Sequence, residues 1–145
     1  MSSSRTNARQ SAVQALYQWQ ITGQNLNEIE QQFYVNENFK KVKRSYFREL
    51  LHGVPGQLKA LDSALLEFVD RTINEIDPVE RAILRVGVYE LVNRQDVPYK
   101  VILNEGVNLA KRYGATESYK YVNSVLDKVA QKQRPFETGA GKTAP

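Results

Sequence analysis

Few residues in this 145-residue chain could do covalent or acid-base chemistry, and what surrounds them removes most of the candidates. Cysteine is absent, which excludes disulfides, thiolate metal sites and cysteine nucleophiles together. The one histidine, His52, follows Arg48 and Glu49 on a helix with no serine nucleophile near it, so a structural or solvent-facing ring is expected. Glu28 and Glu30 fall on different sides of a helix, and capping accounts for Glu75 with Asp77. Gly53-Val54-Pro55-Gly56 lacks the Lys-Ser or Lys-Thr of a phosphate loop, and Gly141-Lys142-Thr143 has no strand before it or helix after it. No metal site and no cofactor is expected.

What remains is surface chemistry. Arg5 and Arg9 lie one helical turn apart in a segment with no acid before Glu28, a way to present guanidinium groups to phosphates. Tyr113, Tyr119, Lys120 and Tyr121 mix aromatic and basic character around the start of the last helix, where rings could stack on unpaired bases and Lys120 could meet the backbone. Core packing is the competing reading for each tyrosine. Net charge is a modest +4, but it is unevenly spread. Residues 40 to 44 hold four cations and no acid, whereas residues 45 to 80 hold seven acids and three cations.

The elements that must position these groups are helical. Val13, Leu16 and Tyr17 form the stripe of a first helix, with Asn7 as its N-cap and Gly23 as its end. Asn27 with Glu30 reads as a capping box for a second. From Tyr46 to Phe68 the apolar spacing stays helical across Pro55, which predicts a kink or two helices. Asp77-Pro78-Val79-Glu80 combines an N-cap, a proline with helical φ and a glutamate able to reach back, and it marks the boundary between two halves. The helix it opens buries Ile83, Leu84, Val88 and Leu91 and turns Arg81, Arg85 and Arg94 outward. The next starts at Asp96 to Pro98 and stops at Gly114, with Gly106 implying a close helix contact; Thr116 caps the last. The expectation is an all-α protein of about seven helices in two small bundles, residues 1–76 and 77–134, forming one compact unit with a disordered tail at 135–145.

Composition agrees with that class. Hydrophobic residues make up 41% and charged residues 25%, ordinary globular values, and no apolar run is long enough to span a bilayer. The amino-terminal stretch lacks the apolar block of a signal peptide, so a cytoplasmic location without membrane association is expected.

Five stretches carry a family resemblance. Ala8 to Tyr17 (ARQSAVQALY), Tyr46 to Val54 (YFRELLHGV), Val79 to Arg85 (VERAILR), Val97 to Glu105 (VPYKVILNE) and Lys120 to Lys128 (KYVNSVLDK) resemble, in order and spacing, the NusB family of bacterial transcription antitermination factors. The resemblance implies seven helices in two roughly perpendicular bundles and no catalytic activity. It implies pairing with NusE, a ribosomal small-subunit protein, and binding of the pair to single-stranded boxA RNA. That binding would tether the transcript to elongating RNA polymerase and suppress termination on ribosomal RNA operons.

The RNA-facing positions it implies here are Arg5, Arg9, Tyr17, Tyr113, Glu117, Lys120 and Tyr121, and those facing NusE are Phe68, Glu75 and Glu80. The acidic excess of residues 45 to 80 suits a basic partner independently. Family members often show a denser amino-terminal arginine run than Arg5-Thr6-Asn7-Ala8-Arg9, which implies weaker RNA binding alone and more reliance on the partner. Some such proteins self-associate through the same surfaces, so a homodimer would mask the RNA face. Two rivals remain. A NusB-like domain of a ribosomal RNA cytosine methyltransferase fails as an enzyme for want of a cysteine nucleophile, and a purely protein-binding helical scaffold is separable by an RNA-binding assay.

Overall fold

Ser3 begins the first helix of the computed structural model, which describes residues 3–142. Its hydroxyl accepts the Thr6 N–H at 3.0 Å, and helix α1 runs Ser4–Thr22. Asn7, expected as the cap, lies inside α1 and donates its side-chain amide to the Lys41 carbonyl at 3.0 Å. The end at Gly23 is as expected: φ is +66°, a left-handed conformation that glycine adopts without a Cβ penalty, and its N–H returns to the Trp19 carbonyl.

Asn25, two residues ahead of the expected Asn27, caps α2 (Leu26–Tyr34) by accepting the N–H groups of Asn27 and Glu28. A 3-10 turn, Glu37–Lys41, leads to α3 (Arg44–Gly56). Pro55 sits in the last turn of α3, and the chain restarts as α4 (Leu58–Leu66), so the long apolar segment is two helices. A second 3-10 turn, Ile73–Glu75, precedes α5 (Pro78–Asn93). There Asp77 accepts from Val79 and Glu80, and Pro78 occupies the first turn, as the sequence predicts. Then come α6 (Tyr99–Tyr113), α7 (Ser118–Gln133) and α8 (Pro135–Thr138). Among the described residues there is no strand, and no helix is long and apolar enough to cross a membrane.

Helix α5 is the axis of the fold. Every residue from Ala82 to Leu91 is buried, and α5 packs against α1, α3, α4, α6 and α7. One continuous apolar core therefore passes through α5 from the first set of helices to the second. Gly87 of α5 and Gly106 of α6 both admit Leu126 of α7: a Cβ would stand 2.7 Å from Leu126 Cδ2 at the first and 2.8 Å from Cδ1 at the second. The close contact expected at Gly106 is present.

A helix buried all round must pair its charged residues. Arg85, expected outward, is buried. It makes a two-pronged contact with Asp62 of α4, both N–O distances 2.9 Å, and donates to Gln20 of α1 at 2.9 Å. Arg81 and Arg94 are half-buried rather than outward. Arg94 bridges Glu49 at 3.2 Å and Asp96 at 3.1 Å.

The segment expected as a disordered tail is instead ordered up to Lys142, as α8 and a 3-10 turn Ala140–Lys142. Residues 143–145, with Thr143 of the Gly-Lys-Thr triplet, lie outside the described residues. The physical reason is Arg134. Its buried guanidinium donates to the carbonyls of Glu90, Leu91, Arg94 and Val97 at 2.6 to 3.0 Å, gathering the acceptors at the end of α5 and in the turn after it. Glu137 pairs with Arg134 at 2.9 Å and accepts the Tyr99 N–H at 2.7 Å, which caps α6 where Pro98 has no side chain to do so. One Arg-Glu pair thus closes the termini of two helices and holds the chain after it.

Candidate nucleic-acid interface

Arg5 and Arg9 do share one face of α1, but that face turns inward. Both guanidinium groups approach the Tyr46 ring, at 4.8 and 5.4 Å. Arg9 is 2% exposed. Its fork meets Glu90 of α5 at 2.8 Å from Nε and 2.8 Å from Nη2, and Nη1 reaches Glu105 of α6 at 3.2 Å. Burial works against the charged guanidinium, yet the hydrogen bond and charge of Glu90, helped by Glu105, outweigh it and raise the Arg9 pKa. Tyr46 donates its hydroxyl to the same Glu90, and burial first, then the Glu90 charge, drives the phenol pKa upward.

Arg9 is therefore a structural cation, and its expected phosphate contact is corrected. Glu90 inside the apolar stripe of α5 requires that cation. Arg5 stays near the surface, paired with Asp96 at 3.4 Å.

The tyrosines divide into two settings. Tyr17 of α1, 40% exposed, and Tyr113 at the end of α6 line one open cleft of about 500 Å³, together with Val13, Ile21, Phe33 and Val79. Gln14 of α1 donates to the Tyr113 hydroxyl at 3.1 Å, and the Arg112 guanidinium lies 5.4 Å from the Tyr113 ring. Such a cleft offers aromatic faces to a base with a cation at its edge. Sequence reasoning missed Gln14, Phe33 and Val79, because the contact joins α1, α2, α5 and α6.

Tyr121 of α7 keeps other company. The Arg71 guanidinium covers its ring at 4.9 Å, and its hydroxyl is buried without a hydrogen-bond partner. Burial raises its pKa, Arg71 lowers it, and Asp70 and Glu80 add to the rise. Glu117 and Lys120 form an exposed ion pair at 3.2 Å ahead of and within the first turn of α7. Glu117, not Thr116, is the residue at the cap, and it holds φ at +68°, the one non-glycine in the left-handed region among the described residues. Gly114 is extended rather than left-handed; its glycine identity answers to space, since a Cβ would stand 2.8 Å from the Ala110 carbonyl oxygen.

The expected partner face is acidic in two different ways. Glu75 is exposed and caps its own 3-10 turn, accepting from the Thr72 hydroxyl at 2.7 Å and the Thr72 N–H at 3.1 Å, and those bonds lower its pKa. Glu80 is half-buried, and its carboxylate makes no hydrogen bond or ion pair among the described residues, so the reach back to the cap is not made. Burial, then the neighbouring Asp77, raises its pKa against a smaller opposing effect of Arg71. Phe68 is half-buried on the core edge. His52 is paired with Glu30 at 2.6 Å, where Arg48 and Tyr34 also converge, which leaves it structural. Among the described residues no cluster of acids and histidine could hold a metal ion.

Comparison with known proteins shows the family and the fold. A family model described as the NusB family matches residues 6–131. The chain is 54% identical over 135 residues, 93% of its own length and 90% of the relative's, to the transcription antitermination protein NusB of Alcanivorax borkumensis. Its structure is similar to T. maritima NusB, with a TM-score of 0.82, 28% identity and coverage of 97% and 99% of the two chains. It is also similar to a chain in a crystal structure of the antitermination factors NusB and NusE with double-stranded RNA, with a TM-score of 0.75, 25% identity and coverage of 89% and 97%.

Proposed function

We propose, since the chain belongs to the NusB family, that it is a non-enzymatic antitermination factor that pairs with NusE and binds single-stranded boxA-type RNA. In the cytoplasm it would link transcripts of ribosomal RNA operons to the elongating RNA polymerase. The observation that carries the reading is the open cleft shared by Tyr17 and Tyr113, with Arg112 at its edge. Unpaired bases can stack there; a duplex, whose bases are already stacked, has nothing to insert. Half-buried Arg5 and exposed Lys120 and Glu117 flank this face as weaker contributors, while Arg9 supports it from inside. Tyr121 contributes through its Arg71-covered face beside Glu80, where the RNA and NusE surfaces would meet.

The partner surface is supported by Glu80, a half-buried acid whose carboxylate has no hydrogen bond or ion pair among the described residues, with Glu75 and Phe68 nearby in sequence. A cationic side chain of a basic ribosomal protein would supply what Glu80 lacks.

The test is fluorescence anisotropy with labelled boxA RNA, a scrambled single strand and a boxA duplex, each with and without NusE. The reading expects the boxA strand to bind best and NusE to tighten it. Equal binding of all three RNAs, unaffected by NusE, would contradict it.

A further inference from the structure

We infer that the RNA strand continues from the tyrosine cleft into a second cleft between α1, the 3-10 turn Glu37–Lys41 and the end of α6, where Lys41 and Arg112 hold its phosphates and Lys40 and Lys43 extend the path. The inference rests on the RNA-binding reading above. Gln14, Phe33 and Tyr113 line both clefts, so the two are continuous. The second, of about 370 Å³, is polar, and among the described side chains its lining contains no carboxylate. Neutral donors, Asn7, Gln10 and Ser11 of α1, stand along it beside the two cations. This is the lining expected for a polyanion whose sequence is not read.

The lysine side chains of the basic run at residues 40 to 44 have no role in the core. Lys40, Lys41, Lys43 and Arg112 are exposed, and among the described side chains none of them is in an ion pair. The run is held in place: the Lys41 carbonyl accepts from Asn7, and the Lys43 N–H donates to the Ser4 carbonyl at 3.0 Å. Arg44 is stacked 3.6 Å over Tyr34, and Arg48 pairs with Glu30 at 3.2 Å. Those two cations are occupied, so the free charge lies at the lysines beside the cleft rather than along α3. These cations supply on the surface the phosphate contacts that buried Arg9 cannot.

The test compares the full chain with its Lys41→Gln/Arg112→Gln variant, in complex with NusE, using boxA RNA that carries flanking single-stranded nucleotides. Two lost contacts should lower the magnitude of the log K against log salt slope by about 1.4, and at 0.1 M salt weaken binding about five-fold per contact, roughly 25-fold together. Lys41→Arg/Arg112→Lys keeps both charges and should keep the parental salt slope, and NusE affinity should not move. Parental slope and affinity in the glutamine variant would overturn the inference while leaving RNA binding through Tyr17 and Tyr113 intact. Loss of NusE affinity without loss of RNA affinity would overturn it too, by assigning the cleft to protein. If the unmodified complex bound no RNA, both this inference and the reading beneath it would fall.

Discussion

Replacing Arg9 with alanine separates a structural cation from a phosphate contact. In the folded protein Arg9 is 2% exposed and Glu90 is 1% exposed, and the guanidinium fork supplies Glu90 with contacts at 2.8 Å on both carboxylate oxygens. The alanine variant strands Glu90 with the Tyr46 hydroxyl as its remaining hydrogen-bond donor and takes the 3.2 Å cation from Glu105. Removing one partner of a buried pair costs about 3–5 kcal/mol, a large part of the roughly 5–15 kcal/mol that holds such a domain folded.

Urea unfolding should therefore show a much lower midpoint with an unchanged m value. Arg9→Met with Glu90→Leu, which removes both charges and restores apolar volume, should recover most of the loss. In RNA titrations on the folded fraction, Arg9→Ala should leave the salt slope at its parental value, because a buried guanidinium releases no counterion. A phosphate contact would instead reduce the slope by about 0.7. Parental stability combined with that reduced slope would refute the burial argument.

Other outcomes follow from the same geometry. Glu80 has a raised carboxyl pKa, so NusE association should weaken as the pH falls through that raised pKa, and Glu80→Gln should remove that dependence in binding isotherms. In Glu30 burial favours the neutral acid, but the Tyr34 and His52 hydrogen bonds and the Arg48 charge outweigh it and depress the pKa. Its contribution to stability is thus complete above the ordinary carboxylate pKa and lost as pH falls through the depressed one, and Glu30→Gln should flatten that acid limb in pH-dependent melting. Arg134→Ala should cost about 3 kcal/mol or more by urea unfolding, since four carbonyls and Glu137 each lose one charged donor together, and unchanged stability would contradict the closing role of Arg134.

What the sequence made legible was local. Asp77-Pro78 announces the start of α5 because cap, fixed φ and first turn all lie within a few residues. Pro55 divides a helix for an equally local reason, and Gly106 signals a close neighbour by costing helix stability. Ser3 displaced Asn7 as a cap by starting α1 one turn early, which freed Asn7 to hold the Lys41 carbonyl.

The failures are long-range. Arg9 and Glu90 are 81 residues apart, and Arg85 and Asp62 are 23 apart, so nothing next to either arginine says that it will be buried. The signal that was available is Glu90 itself, an acid inside the apolar stripe of a helix that requires a cation. The ordered end was hidden in the same way, because the acceptors of Arg134 lie 37 to 44 residues away on α5 and the turn after it. At the site, the sequence names Tyr113 by its aromatic and basic surroundings and Tyr17 through the family resemblance, and the fold puts them in one cleft while setting Tyr121 beneath Arg71.

The most direct test of the central claim is boxA RNA affinity, in the presence of NusE, of the parent chain and of Tyr17→Ala, Tyr17→Phe, Tyr113→Ala and Tyr113→Phe, with melting measured on the same samples. Stacking needs the ring and not the hydroxyl, so each alanine should weaken binding by about 1–3 kcal/mol. Tyr17→Phe should be silent, and Tyr113→Phe should lose only the small contribution of the Gln14 hydrogen bond. Alanine variants that melt early but, where folded, bind RNA as tightly as the parent would show that both tyrosines serve the core and that the RNA face lies elsewhere.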